Sequence, residues 1–111
     1  MVQHTPYLDN PIHRTDIDAL EVPTVLDFGT NWCGYCQGAA PHILAALARH
    51  PNVQHLRIED GPGRRLGRSF GVKLWPTLVF LQRGQEVARV VRPDDDDDAI
   101  DQALALIDPG A

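Results

Sequence analysis

The 111 residues are enough for one domain with a single core that needs no covalent staple. With 15 acidic against 10 basic side chains the formal charge is −5 and there is no long basic run, which argues against a nucleic-acid surface. Two cysteines three positions apart are not the framework of a disulfide-stabilised secreted protein. No apolar run approaches a membrane span, and Met1 to Pro6 has neither a basic nor an apolar leader region, so the expectation is a soluble, cytoplasmic monomer with no membrane partner.

Residues 1–20 read as an arm packed on the edge of the domain, because Pro6, Pro11 and isolated charges interrupt any long element. Thr15-Asp16 is placed to cap a short helix over Ile17, Ala19 and Leu20. The first confident strand is Thr24 to Phe28, an apolar and β-branched run that contains one out-of-place charge, Asp27. A helix over Ala39 to His50 follows, with Ala40, Ile43, Leu44, Leu47 and Ala48 at helical spacing, Pro41 as a kink and Pro51-Asn52 as the stop. Between strand and helix stands Trp32-Cys33-Gly34-Tyr35-Cys36.

Cysteines at i and i+3 on a helix start share one face about 5–6 Å apart, the separation a disulfide needs. The first sulfur faces unpaired N–H groups and the positive end of the helix dipole, where a thiolate is favoured. Cys33 is therefore the candidate nucleophile, and Cys36, one turn in, the resolving thiol.

Val53 to Ile58 reads as the next strand, completing a right-handed βαβ unit with parallel strands. Gly61-Pro62-Gly63 lacks the spacing of a phosphate loop and leads to a short helix, Arg64 to Phe70, with Arg64, Arg65 and Arg68 on its solvated face. Pro76 to Leu81 and Glu86 to Val91 form a hairpin about Arg83-Gly84. Asp94 to Asp98 precede a last helix, which buries Ala99, Ile100, Ala103, Leu104 and Ile107; aspartates there complement its dipole and lack the spacing of a calcium loop.

This order of elements, with a Trp before the first Cys, resembles the thioredoxin family over residues 22 to 108. Asp27 stands six before Cys33, where the family keeps a buried carboxylate. Pro41 stands five after Cys36, where it keeps a proline, Trp75-Pro76-Thr77 matches its cis-proline segment, and Gly84 matches its hairpin turn. The resemblance implies an α/β thioredoxin-like fold, a central mixed sheet flanked by helices, as a single domain over 21–111. It also implies a thiol–disulfide oxidoreductase that reduces protein disulfides, with no cofactor beyond the Cys33–Cys36 pair and an electron donor such as a thioredoxin reductase. On that likeness Asp27, held partly protonated by burial, accepts the Cys36 proton, Pro76 is cis, and Trp32, Gly34, Tyr35, Trp75, Pro76 and Thr77 meet the substrate.

The sequence also departs from the family. Tyr35 replaces the usual proline, and Cys-Gly-Tyr-Cys is similar to the site of periplasmic disulfide isomerases. Gln37 and His55 stand where lysines are common, Leu74 and Arg92 where glycines are, and Trp75 replaces an aliphatic residue. Rivals for the function are an isomerase or oxidant of the same fold and a non-enzymatic peptide-binding module. Zinc is the rival for the cysteines, but there is no second CxxC, and only His50 and His55 approach a ligand spacing. His4, His13, His42 and His50 are expected at the surface.

Overall fold

The computed structural model describes residues 12–93 and 97–110. Four strands form one mixed sheet in the order β2-β1-β3-β4: β1 Thr24–Gly29, β2 Gln54–Glu59, β3 Thr77–Gln82 and β4 Gln85–Val91. β1 runs parallel to β2 and antiparallel to β3, which is antiparallel to β4. The parallel pair follows from the α2 crossover, Gly34–Ala48, since two strands joined by one helix must run the same way.

Side chains alternate across the sheet and so build two cores. Val25, Leu78 and Phe80 face α2 and the last helix, α4 Asp97–Ile107, through Ile43, Ala46, Ile100, Leu104 and Ile107. Leu26, Phe28, Val79 and Leu81 face the two short helices, α1 Arg14–Asp18 and α3 Arg65–Ser69, meeting Ile17, Leu66 and Phe70. Ile17 is wholly buried, so the later part of the arm belongs to the core. The hairpin closes over α1: Gly84 has φ 77°, and a Cβ there would collide with the Asp18 carbonyl.

Several expectations are corrected. α1 is capped from His13, whose backbone N–H donates to Asp16 Oδ2 at 3.1 Å, so Thr15 and Asp16 lie inside the helix. α2 begins five residues earlier than the apolar spacing indicates and continues through Pro41. It starts at Gly34 because Cys33 is its cap, a role that carries no apolar signal. Arg64 is half-buried against Glu59, at 2.6 Å, which leaves Arg65 and Arg68 exposed. His50 is not a surface residue: only 13% of its side chain is accessible, and Nδ1 lies 2.6 Å from Asp108 Oδ2. The first eleven residues of the arm and Asp94 to Asp96 lie outside the described residues.

Candidate active site

Cys33 stands where the chain leaves the carboxyl end of β1 and turns into α2. It is the N-cap residue, with extended backbone at φ −80° and ψ 121°, and its Sγ accepts the backbone N–H of Cys36 at 3.3 Å. The sulfur thus does what a Ser or Asp side chain does at other helix starts, satisfying a donor that the helix leaves unpaired. Both thiols are reduced and buried, Cys33 at 8% and Cys36 at 1% exposure. The difference follows from their places, one on the cap and one a turn deeper.

Around this pair the surface is aromatic. Trp32 is 73% exposed and Tyr35 60%, so neither is a core aromatic. Trp75 is half-buried against both cysteines, and its ring meets Trp32 edge to face at 5.7 Å. The bond from Trp75 to Pro76 is cis. Trp75 is held from behind, its indole N–H donating to Asp60 Oδ2 at 2.8 Å. Asp60 reaches that position because residue 67 is glycine; a Cβ there would overlap the Asp60 carboxylate. Thr77 is buried and donates from Oγ1 to the Leu74 carbonyl at 2.6 Å, tying the loop that carries Trp75 to the start of β3. Gly34 opens α2 with open space where a Cβ would stand.

Beneath α2, Asp27 is 1% exposed and points from β1 to the helix side of the sheet. The resemblance places His55 near it, whereas Arg57 is not foreseen. Arg57, its register partner on β2 and itself buried, brings Nε to 3.3 Å from Oδ2, and His55 Nε2 lies 3.0 Å from the same oxygen. Arg57 provides the countercharge that a carboxylate removed from water needs, so burial alone does not describe the setting of Asp27. Together with Ala40, Ile43 and Leu44 these three side chains line a crevice too narrow to hold a water molecule. The signal for Arg57 was its parity with His55 on a strand parallel to β1, readable only once the register is known.

Among the described residues no three His, Cys, Asp or Glu side chains converge as metal ligands. His50 and His55, the loosely spaced zinc candidates, are engaged by Asp108 and Asp27. No helix among the described residues is long and apolar enough to cross a membrane.

Fold and site together define a protein with a dithiol at a helix start, framed by aromatic residues and a cis-proline loop. The family model described as Thioredoxin matches residues 5–105. The structure is similar to that of thioredoxin 2 from Pseudomonas aeruginosa PAO1 in its reduced form, with 47% identity, a TM-score of 0.85, and coverage of 98% of this chain and 100% of that one. In sequence it is similar to thioredoxin C-3 of Corynebacterium nephridii, 34% identical over 63% of this chain and 48% of the relative. Thioredoxin H-type 1 of Nicotiana tabacum is 40% identical over 60% of this chain and 53% of its own length. The chain spans about half the length of these curated relatives. It belongs to the thioredoxin family.

Proposed function

We propose that the protein is a thiol–disulfide oxidoreductase that reduces protein disulfides with the Cys33–Cys36 dithiol. The observation that carries this is the capping geometry: one sulfur sits on the helix N-terminus with an N–H aimed at it, and the second lies buried a turn below. Cys33 thiolate attacks one sulfur of the substrate disulfide, forming a mixed disulfide and expelling the other sulfur as thiolate. Cys36, deprotonated, then attacks Cys33 Sγ. The substrate leaves with its second thiolate, and the two electrons it gained are matched by the new Cys33–Cys36 bond.

Asp27 accepts the Cys36 proton in this scheme. Arg57 and His55 are positioning residues that hold its carboxylate. Trp32, Gly34, Tyr35 and Trp75 form the surface that meets the substrate, while Pro76 and Thr77, both buried, hold the loop beneath it. The dithiol carries the electrons without a further cofactor, and a donor such as a thioredoxin reductase returns them. The cytoplasm, where thiols are kept reduced, suits that direction. Neither the isomerase nor the peptide-binding module is favoured, since the relatives named above are thioredoxins.

Insulin reduction driven by dithiothreitol tests the reading. Catalytic amounts of the protein are expected to hasten precipitation of the insulin B chain, and a rate equal to dithiothreitol alone would reject it.

A further inference from the structure

One cation beside the sulfurs has no part in the scheme above. Arg92, directly after β4, stands at φ 49°, the left-handed region that residues with a Cβ rarely occupy. Its backbone N–H donates to the Pro76 carbonyl at 2.8 Å, pinning it beside the cis-proline loop. From there Nε donates to the Trp75 carbonyl at 3.0 Å, and the guanidinium carbon lies 4.1 Å from the centroid of the Tyr35 ring. A single side chain therefore joins the first turn of α2, at Tyr35, to the loop that packs on the cysteines.

The Trp75 carbonyl takes this bond from a side chain because β3 begins only at Thr77, leaving residue 75 beyond the ladder. The guanidinium has its face on Tyr35 and its Nε edge on Trp75. Its remaining edge, two parallel N–H groups, matches a carboxylate in bidentate fashion. Among the described residues Arg14, Arg49, Arg57, Arg64 and Arg89 each have a carboxylate partner, whereas Arg92 is in none of these ion pairs. The rings it bridges, Tyr35 and Trp75, are uncharged, and the Asp60 carboxylate behind Trp75 is bonded to the indole N–H rather than to Arg92.

We propose that Arg92 is a specificity-determining residue, selecting disulfide substrates with an Asp or Glu next to the reacting cysteine. This rests on the oxidoreductase reading and names its substrate class. When the substrate sulfur is at Cys33, a neighbouring acidic side chain lies across Tyr35 and pairs with the outer edge of the guanidinium. A neutral side chain leaves that edge to water, and a basic one is repelled.

The test uses three peptides that differ only beside their cysteine, Glu, Gln or Lys, each as a mixed disulfide with thionitrobenzoate, with release of the coloured thiol as readout. Rates are divided by those with dithiothreitol to remove intrinsic reactivity. The wild-type protein is expected to favour Glu over Gln about tenfold, and Gln over Lys, with both ratios shrinking in high salt. Arg92→Gly suits φ 49° and keeps the backbone turn, so its ratios should fall to near one. Arg92→Lys, which retains charge without the planar edge, should keep about a threefold preference. Equal wild-type rates on the three peptides, or a Glu preference that survives in Arg92→Gly, would overturn the proposal while leaving the oxidoreductase reading intact. A wild-type protein inactive on all three and on insulin would overturn both.

Discussion

The two ends of α2 use the same residue types for different ends. At its start a carboxylate, Asp27, meets a histidine and an arginine, His55 and Arg57, under the redox pair. Past its last turn a histidine and an arginine, His50 and Arg49, meet Asp108 and Asp101, with Arg49 bidentate on Asp101 at 3.1 and 2.7 Å. The far cluster docks the helix end onto α4; Arg49, the C-cap residue, is half-exposed and puts a cation where the helix dipole prefers one. In the near cluster both members of the Arg57–Asp27 pair are buried, at 8% and 1% exposure. Burial of the arginine separates the two clusters: Arg49 is 50% exposed and Arg57 8%, whereas both histidines are largely covered, His50 at 13% and His55 at 17%. An arginine–carboxylate pair at a wet helix end adds modest stability, whereas the same pair in the core is costly to maintain and marks a place where a proton has work to do.

The largest effects are expected at the near end. Cys33→Ser should bring disulfide exchange to background, while Cys36→Ser should still attack and accumulate mixed disulfides, visible on non-reducing gels. Equal trapping by both variants would reverse or abolish the assigned roles.

Asp27→Asn should slow release of reduced substrate about a hundredfold near neutral pH while leaving the first attack unchanged, as stopped-flow measurement can resolve. Asp27→Ala should also cost about 3 kcal/mol in urea unfolding, because it strands the buried Arg57. Combining it with Arg57→Met should recover most of that loss without restoring the rate. A double variant with wild-type kinetics would make the near cluster as structural as the far one.

A smaller effect is expected at the turn between the cysteines. Tyr35 lacks the fixed φ of proline, and a freer turn lets amide N–H groups aim more fully at Cys33 and stabilise the reduced form. Tyr35→Pro should therefore lower the reduction potential by about 30 mV, a shift of roughly 1.4 kcal/mol, measured by equilibration with glutathione and followed through Trp32 fluorescence. An unchanged potential would separate the turn from the tuning of the pair.

The smallest effect belongs to the far end. Asp108 is held below the usual carboxylate range by the Gly110 backbone N–H and then by His50. A folded-state value below the unfolded one, about 3.9, means that its stabilisation is complete above that pH and is lost as pH falls through the folded value. Asp108→Ala should lower Tm by a few degrees at most at pH 7, begin to converge with wild type only as pH falls below about 4, and leave disulfide exchange untouched. A loss of activity would join the two ends of α2 in one function.

The CxxC spacing, the strand and helix periods, the proline before β3 and the odd charge within β1 were all readable along the chain, because each is a local pattern of a few residues. They identified the fold, the redox pair and the unusual Asp27. The apolar period marks α2 only from Ala39, because a cysteine cap has no apolar signature, and it was the CxxC spacing that put the helix start at Cys33. What only the tertiary structure decided are pairings between residues far apart in sequence: Asp27 with Arg57, 30 residues on; Asp60 with Trp75, 15 on; Trp75 with Arg92, 17 on; and His50 with Asp108, 58 on. Each depends on strand register and on which way a long polar side chain turns. Neither is encoded in the hydrophobic pattern, since a polar side chain reads the same along the chain whether it ends in water or on a buried carboxylate.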